Sequence, residues 1–465
     1  MFGVYDPYHR HETHHSHSGT HTEEATVKRR QFLQHSATFA AMPFVGVPLH
    51  VSARDHRVLS APLRVNGVRL NSWLTAFDVV GRTAGGINRV GYSPADLAGR
   101  AFTRDLFTQA GLVPRIDAAG NIYGRLEGTH PSLQPILIGS HVDSVPDGGN
   151  FDGTLGSFGA IEVARTLREQ AVRLRHPLEV VVWQNEEGGT IGSKLAIGDL
   201  SDADLDKVAR SGNTIREGID LVGGDATRWR ESIKKPGAFA CYIELHIEQG
   251  GLLEQAGLQI GVVQGIVGLR WFEVTINGVA NHAGATPMNQ RHDAMLAAAK
   301  FTVAVNDAVR GEPGRQVATV GRVTVTPNTT NVIPAQVVLT VDLRDLERST
   351  LDRFTERFER LGREIGQATG TTFAFNRMVD SAPALADTNV MGWIDGSASA
   401  LGLSRQKMPS GAGHDAQEIA RIAPMGMIFV PSIGGVSHSP KEFTKAEDVV
   451  NGANVLLNAV LAADR

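Results

Sequence analysis

Gln134-Pro135-Ile136-Leu137-Ile138-Gly139-Ser140-His141-Val142-Asp143-Ser144-Val145-Pro146-Asp147-Gly148-Gly149-Asn150-Phe151-Asp152-Gly153 shows the architecture of this chain most plainly. The apolar run Gln134–Ser140 predicts a buried strand, which stops at His141 in a polar, glycine-rich loop. A helix is expected over Ser157–Glu169. A second apolar strand, Leu178–Gln184, again opens into polar residues, Asn185-Glu186-Glu187-Gly188-Gly189. Apolar strands that alternate with helices and end at His or Glu indicate an α/β fold, whose sites gather at strand carboxyl ends.

The same alternation extends outward. Helices are expected over Asn71–Val80 and Pro94–Ala110, and strands over Leu112–Ile116 and Asn121–Leu126. From Val263 to Asp380 the order becomes strand (Leu269–Ile276), helix (His292–Val309), strands (Gln316–Val325 and Ala335–Leu343), helix (Ser349–Thr369) and strand (Thr371–Arg377). That βαββαβ order is ferredoxin-like. Beyond Pro383 a helix, the apolar strand Met425–Val430 and a final helix from Lys445 return to the first pattern. The expected organisation is a catalytic α/β domain in two parts, 54–262 and 381–465, interrupted by an inserted domain, 263–380. A chain of 465 residues suits two domains.

Composition removes several functions. Charged residues are 20% of the chain, and 45 Lys+Arg face 49 Asp+Glu for a net charge of −4. No basic field exists to hold nucleic acid or an anionic membrane. The single cysteine, Cys241, excludes a disulfide scaffold and a cysteine-rich zinc module, so any metal must be held by histidine and carboxylate.

Residues 1–53 read as a leader. Seven of the 17 histidines lie within the first 35 residues, in a segment without apolar periodicity that is expected to be disordered. Lys28-Arg29-Arg30-Gln31-Phe32-Leu33-Gln34 and the apolar run Ala37–Val51 then end in Val51-Ser52-Ala53. This resembles a twin-arginine export signal, which implies a periplasmic or otherwise exported protein. The run is broken by Pro43 and Pro48 and is too short to span a bilayer, so the chain is not expected to be an integral membrane protein.

Four segments carry chemistry. His141 and Asp152 flank the glycine-rich turn, and imidazole with carboxylate suits zinc and similar divalent ions. Asp143 is placed to orient the His141 ring. The adjacent Glu186 and Glu187 would repel each other without a cation; one can ligate metal while its neighbour acts as a general base. In Glu244-Leu245-His246-Ile247-Glu248-Gln249-Gly250, strand alternation places His246 on the side of Glu244 and Glu248. Gly434-Gly435-Val436-Ser437-His438-Ser439-Pro440 offers another imidazole. His141, Asp152, Glu187, His246 and His438 suffice for two metals sharing one carboxylate. The donor set accepts zinc first, with manganese, cobalt or nickel also suited.

These motifs, with Asn281-His282-Ala283-Gly284-Ala285-Thr286-Pro287 and Ser410-Gly411-Ala412-Gly413-His414-Asp415-Ala416, resemble the amidase/hydantoinase/carbamoylase branch of the aminoacylase/carboxypeptidase metallohydrolases, from about Leu70 to Ala462. That branch contains N-carbamoyl-L-amino-acid hydrolases, allantoate amidohydrolases and β-ureidopropionases. The resemblance implies a metallopeptidase-like catalytic domain and an inserted unit that serves as lid and dimerisation domain. It implies Asp152 as the bridge and Glu186 as the base. His141 and His438 become terminal ligands of the two metals, in some pairing with Glu187 and His246. It further implies substrate contacts from Gln249, His282, Asn331, Arg344 and Gly413, with His282 serving the partner's site in a homodimer. Glu-Glu-Gly is followed here by Gly189-Thr190-Ile191, where the family commonly has Ser-Arg-Phe. The expected activity is hydrolysis of a linear ureido C–N bond in a small substrate bearing a carboxylate. Two rivals are an N-acyl-amino-acid hydrolase or dipeptidase of the same superfamily, and a non-catalytic exported binding protein.

Overall fold

A computed structural model describes residues 61–465; the leader, with its histidines and its Lys28–Arg30 signal, lies outside the described residues. The main sheet has nine strands. Its centre is four parallel strands side by side, in the order Leu178–Trp183, Ile136–His141, Cys241–Ile247 and Met425–Val430. Each is buried along its whole length, including Glu244 and His246 within Cys241–Ile247, as central strands of a parallel sheet are. One face of the sheet packs on helices Thr154–Glu169 and Ala446–Ala463, through residues such as Ile138, Ile243, Phe158 and Val460. The other presents Leu137, Val181, Trp183, Tyr242 and Phe429 to a second buried cluster.

The second sheet has four antiparallel strands, in the order Thr372–Ser381, Gly268–Asn277, Gln336–Asp345 and Val317–Thr326. With helices Ala294–Arg310 and Arg348–Thr369 this makes the βαββαβ order. Period-two burial in Gln336–Asp345 turns Val337, Leu339, Val341 and Leu343 towards the helices. The longer helix answers with Leu351, Phe354, Phe358 and Gly362 at helical spacing.

The structure corrects several boundaries. The strand expected over Leu269–Ile276 is Gly268–Asn277, but residues 263–266 of the expected inserted unit belong to Ile260–Ile266, a strand of the main sheet. That strand and its parallel neighbour Arg405–Ser410 are absent from the sequence reading; the polar Arg405-Gln406-Lys407 gives no strand pattern. The strand expected over Leu112–Ile116 shrinks to Arg115–Ile116. The helix expected at Ser157 starts at Thr154, directly after Gly153. The first helix is Gly67–Phe77, where Asn66 accepts from the Arg69 amide as N-cap. Among the described residues, no helix is long and apolar enough to cross a membrane.

Candidate metal centre and active site

The carboxyl ends of the four central strands carry the candidate residues. His141 ends its strand, His246 sits one residue from the end of Cys241–Ile247, and Glu186 and Glu187 lie in the turn after Leu178–Trp183. His438 follows Met425–Val430 through a loop, and Asp152 stands just before helix Thr154–Glu169. Asn185, Gln249 and His438 take left-handed backbone conformations (φ 49°, 58° and 52°), local strain of the kind that functional sites retain. Gly153 has φ +63°, and a Cβ there would collide with the His141 ring.

Asp152 is the hub. Its Oδ1 lies 3.4 Å from His141 Nε2 and 3.1 Å from His246 Nε2. Its Oδ2 lies 3.3 Å from His438 Nε2, which is in turn 3.5 Å from Glu187 Oε1. Two groups therefore share one carboxylate: His141, Asp152 and His246, and Asp152, Glu187 and His438, each with candidate ligand atoms within 4.8 Å of one another. In these groups His141 falls with His246, and His438 with Glu187; a third group, Glu244, His246 and His414, lies behind the first. Glu186 belongs to none of them; its Oε2 stands 3.6 Å from His141 Nε2.

The remaining bonds suit a divalent cation. His141 Nδ1 lies 3.1 Å from the Asp143 carbonyl and His246 Nδ1 lies 2.9 Å from the Ile247 carbonyl. Donation to those carbonyls selects the tautomer whose Nε2 lone pair faces Asp152. Glu187 Oε1 is buried without a hydrogen-bond partner, an open acceptor in the second group. Burial lowers the His141 imidazole, but the Glu186, Asp143 and Asp152 carboxylates overcome it and hold it well above the usual histidine range. Burial likewise pushes Glu187 up to about 7, with the Asp152 charge adding to it. Burial also raises Glu186 well above the ordinary glutamate range, against the opposing pull of His141. This surplus of crowded carboxylates is what a cation neutralises.

Asp143 stands beside the His141 ring, its carbonyl oxygen 3.1 Å and its Oδ1 3.6 Å from Nδ1. Its backbone carbonyl is the nearer partner of that ring. Its carboxylate accepts from the backbone amides of Glu186 (3.1 Å) and Glu187 (3.0 Å), fixing the turn that carries both. Glu248 does not share a side with His246: the strand ends at Ile247, and the Glu248 carboxylate accepts from the Leu252 and Leu253 amides. Gln249, expected to meet substrate, donates from Nε2 to Asp152 Oδ2 at 2.6 Å.

The other expected substrate residues are not at the cluster. His282 and Asn331 come together instead, since Asn331 accepts from the Ala283 amide and His282 pairs with Val332. Both are exposed, and none of their hydrogen bonds reaches the cluster. Arg344 holds Asp342 through Nε (3.0 Å) and Nη2 (2.8 Å) and donates from Nη1 to the Gly411 carbonyl at 2.7 Å. It thereby meets the Gly411–Gly413 loop, which leads into His414. The His414 ring packs edge-on against His246 with centroids 4.5 Å apart, so the loop reaches the back of the site.

Sequence reading missed Glu442 altogether. Its buried carboxylate accepts from the Phe151 and Asp152 amides and bonds Ser437. No local signal reveals it, because the two amides it holds lie 291 and 290 residues earlier.

Comparison with known proteins shows the family. The pattern of Peptidase family M20/M25/M40 matches residues 137–462. An N-carbamoyl-L-amino acid amidohydrolase of Geobacillus stearothermophilus is 39% identical over 402 residues, covering 85% of this chain and 98% of that protein. Allantoate amidohydrolase of Escherichia coli (strain K12) is 36% identical over 397 residues, covering 83% and 94%. The crystal structure of an amidase of the hydantoinase/carbamoylase family from Burkholderia multivorans matches with a TM-score of 0.81 at 34% identity, covering 86% of this chain and 98% of that one. The chain belongs to peptidase family M20/M25/M40, in its hydantoinase/carbamoylase amidase branch.

Proposed function

We propose that this protein is a binuclear metal-dependent amidohydrolase that cleaves the C–N bond of a linear ureido substrate bearing a carboxylate, an N-carbamoyl-L-amino acid or allantoate. One observation carries the reading: Asp152 offers one oxygen to His141 and His246 and the other to His438, beside Glu187, while Glu186 stands outside both groups. The relatives named for these two substrates span nearly the whole of the folded chain.

His141, His246 and Asp152 would hold one divalent ion, and Glu187, His438 and Asp152 the other. When bound, such ions polarise the ureido carbonyl and bring the pKa of water towards neutrality. Glu186 takes a proton from the attacking water and delivers it to the departing nitrogen. A C–O bond forms as the C–N bond breaks, and the carbamate fragment decays to carbon dioxide and ammonia. The Arg344 fork suits a substrate carboxylate, for which Asp342 now stands in. His282 and Asn331 can donate to the developing oxyanion, reaching it from the smaller unit of a partner chain.

A substrate panel on enzyme reconstituted with zinc, manganese, cobalt or nickel tests this reading, with ammonia as readout. Ammonia release from N-carbamoyl-L-amino acids or allantoate is expected, and none from N-acetyl amino acids or dipeptides. Cleavage of the latter pair alone, followed by amine release, would replace the ureido assignment by an acyl-amino-acid hydrolase.

We also propose that residues 1–53 address the chain for twin-arginine export, on the strength of Arg29-Arg30-Gln31-Phe32-Leu33 and the apolar run behind it. A folded reporter behind this leader is expected to leave the cytoplasm, and to stay there when Arg29 and Arg30 are both changed to Lys. Equal export of the two fusions would refute the address.

A further inference from the structure

The two ion groups are unequally built. His141 and His246 stand on buried strands with side chains 2% and 1% exposed, whereas His438 rides a loop and is 52% exposed. A ligand on an exposed loop holds its place only if something ties the loop down. Two further features converge on that loop.

The first is Glu442. Its Oε1 accepts from the amides of Phe151 (2.8 Å) and Asp152 (3.1 Å), which fixes the backbone that presents the shared carboxylate. Its Oε2 lies 2.9 Å from Ser437 Oγ, closing the turn that contains His438. The second is Ser437, whose hydroxyl also lies 3.1 Å from Asp152 Oδ2, the oxygen that faces His438 rather than the two strand histidines. The glycine-rich motif makes room for this arrangement, because a Cβ at Gly149 would collide with the Glu442 side chain. Carboxylate, serine and bridging aspartate thus form one chain of contacts: the amide bonds hold the backbone of the shared aspartate, and the two Ser437 links lie on the His438 side.

We infer that Glu442 is a positioning residue that, through Ser437 and the Phe151 and Asp152 amides, locks the His438 loop onto Asp152 and so sets the affinity of the Glu187–His438 half-site, leaving the His141–His246 half-site to its rigid strands. The inference rests on the two-metal reading. Loss of an outer partner of a metal ligand typically weakens metal binding about 10–100-fold. Glutamine at 442 keeps an oxygen for the two amides and an N–H for the serine oxygen; alanine keeps neither.

The test uses metal-stripped full-length chain titrated with Co²⁺ alone, followed by visible absorption and calorimetry, with no substrate present. Wild type is expected to take two equivalents. In Glu442→Ala the first equivalent binds within about threefold of wild type and the second is weakened about 10–100-fold. Glu442→Gln restores the second to within about threefold of wild type. Ser437→Ala, which removes only the hydroxyl link, weakens the second equivalent alone by about 3–10-fold, a fraction of the usual outer-partner effect. Circular dichroism of the metal-free variants checks folding. If Glu442→Ala fails to fold, the Ser437→Ala titration decides. Unchanged binding of both equivalents in Ser437→Ala, equal weakening of both in Glu442→Ala, or Gln no better than Ala would overturn the inference. Uptake of a single equivalent by wild type would instead overturn the two-metal reading, and this shows before any variant is compared.

Discussion

Glu186→Gln is expected to keep both metal ions and to lose activity about 10²–10⁴-fold, the usual worth of a positioned general base. The carboxyl stands outside both ion groups, 3.6 Å from His141 Nε2, so glutamine removes no ligand. The Glu186 amide still donates to Asp143, and the turn keeps its shape. What disappears is a group able to accept a proton, and a neutral amide of the same size cannot replace it. Glu187→Gln is the matched contrast. Its Oε1 is the buried, unpartnered acceptor beside His438, and a neutral amide there withdraws an anionic donor from the second group. Metal content per chain should fall in that variant before turnover is considered. Elemental analysis of both proteins after identical dialysis, alongside steady-state rates, separates the roles. Equal metal loss in the two would show that the division between base and ligand is misplaced.

The second large effect is recovery of activity from two inactive chains. His282→Ala and Glu186→Gln are each expected to be nearly inert. If His282 serves a partner's site, a mixed dimer combines one chain's intact Glu186 with the other's intact His282. Random exchange makes about half the dimers mixed, each with one working site of two, so about a quarter of wild-type activity should return. The structure motivates the experiment. The His282 ring is exposed, its Nδ1 accepts from the Gly284 and Ala285 amides, and no hydrogen bond links it to its own chain's cluster. Absence of recovery, with exchange verified by native mass spectrometry, would mean that each chain completes its own site by a closing motion of the smaller unit.

Local chemistry made the framework legible from sequence. Val, Ile and Leu runs that stop at His141 and Glu186 mark buried parallel strands with reactive ends, and period-two alternation from Gln336 to Asp345 marks a one-faced sheet. The strand Arg405–Ser410 escaped because it is polar and owes its conformation to its neighbour Ile260–Ile266. The candidate ligands were likewise readable as residue types at strand ends, although their grouping was not.

By itself, then, the sequence determined which side chains are available: three imidazoles and a carboxylate pair at strand ends, a glycine-rich turn with Asp152, and a βαββαβ insertion. Only the tertiary structure decided how they combine. Glu187 and His438 share an oxygen environment although two strands separate the strands that feed them. Glu442 reaches the Asp152 amide across 290 residues of chain, and Arg344 meets Gly411 rather than the cluster. The physical reason is that propensity and periodicity act over a turn of helix or a strand's length, whereas these contacts are set by strand order and loop closure, to which no local residue pattern responds.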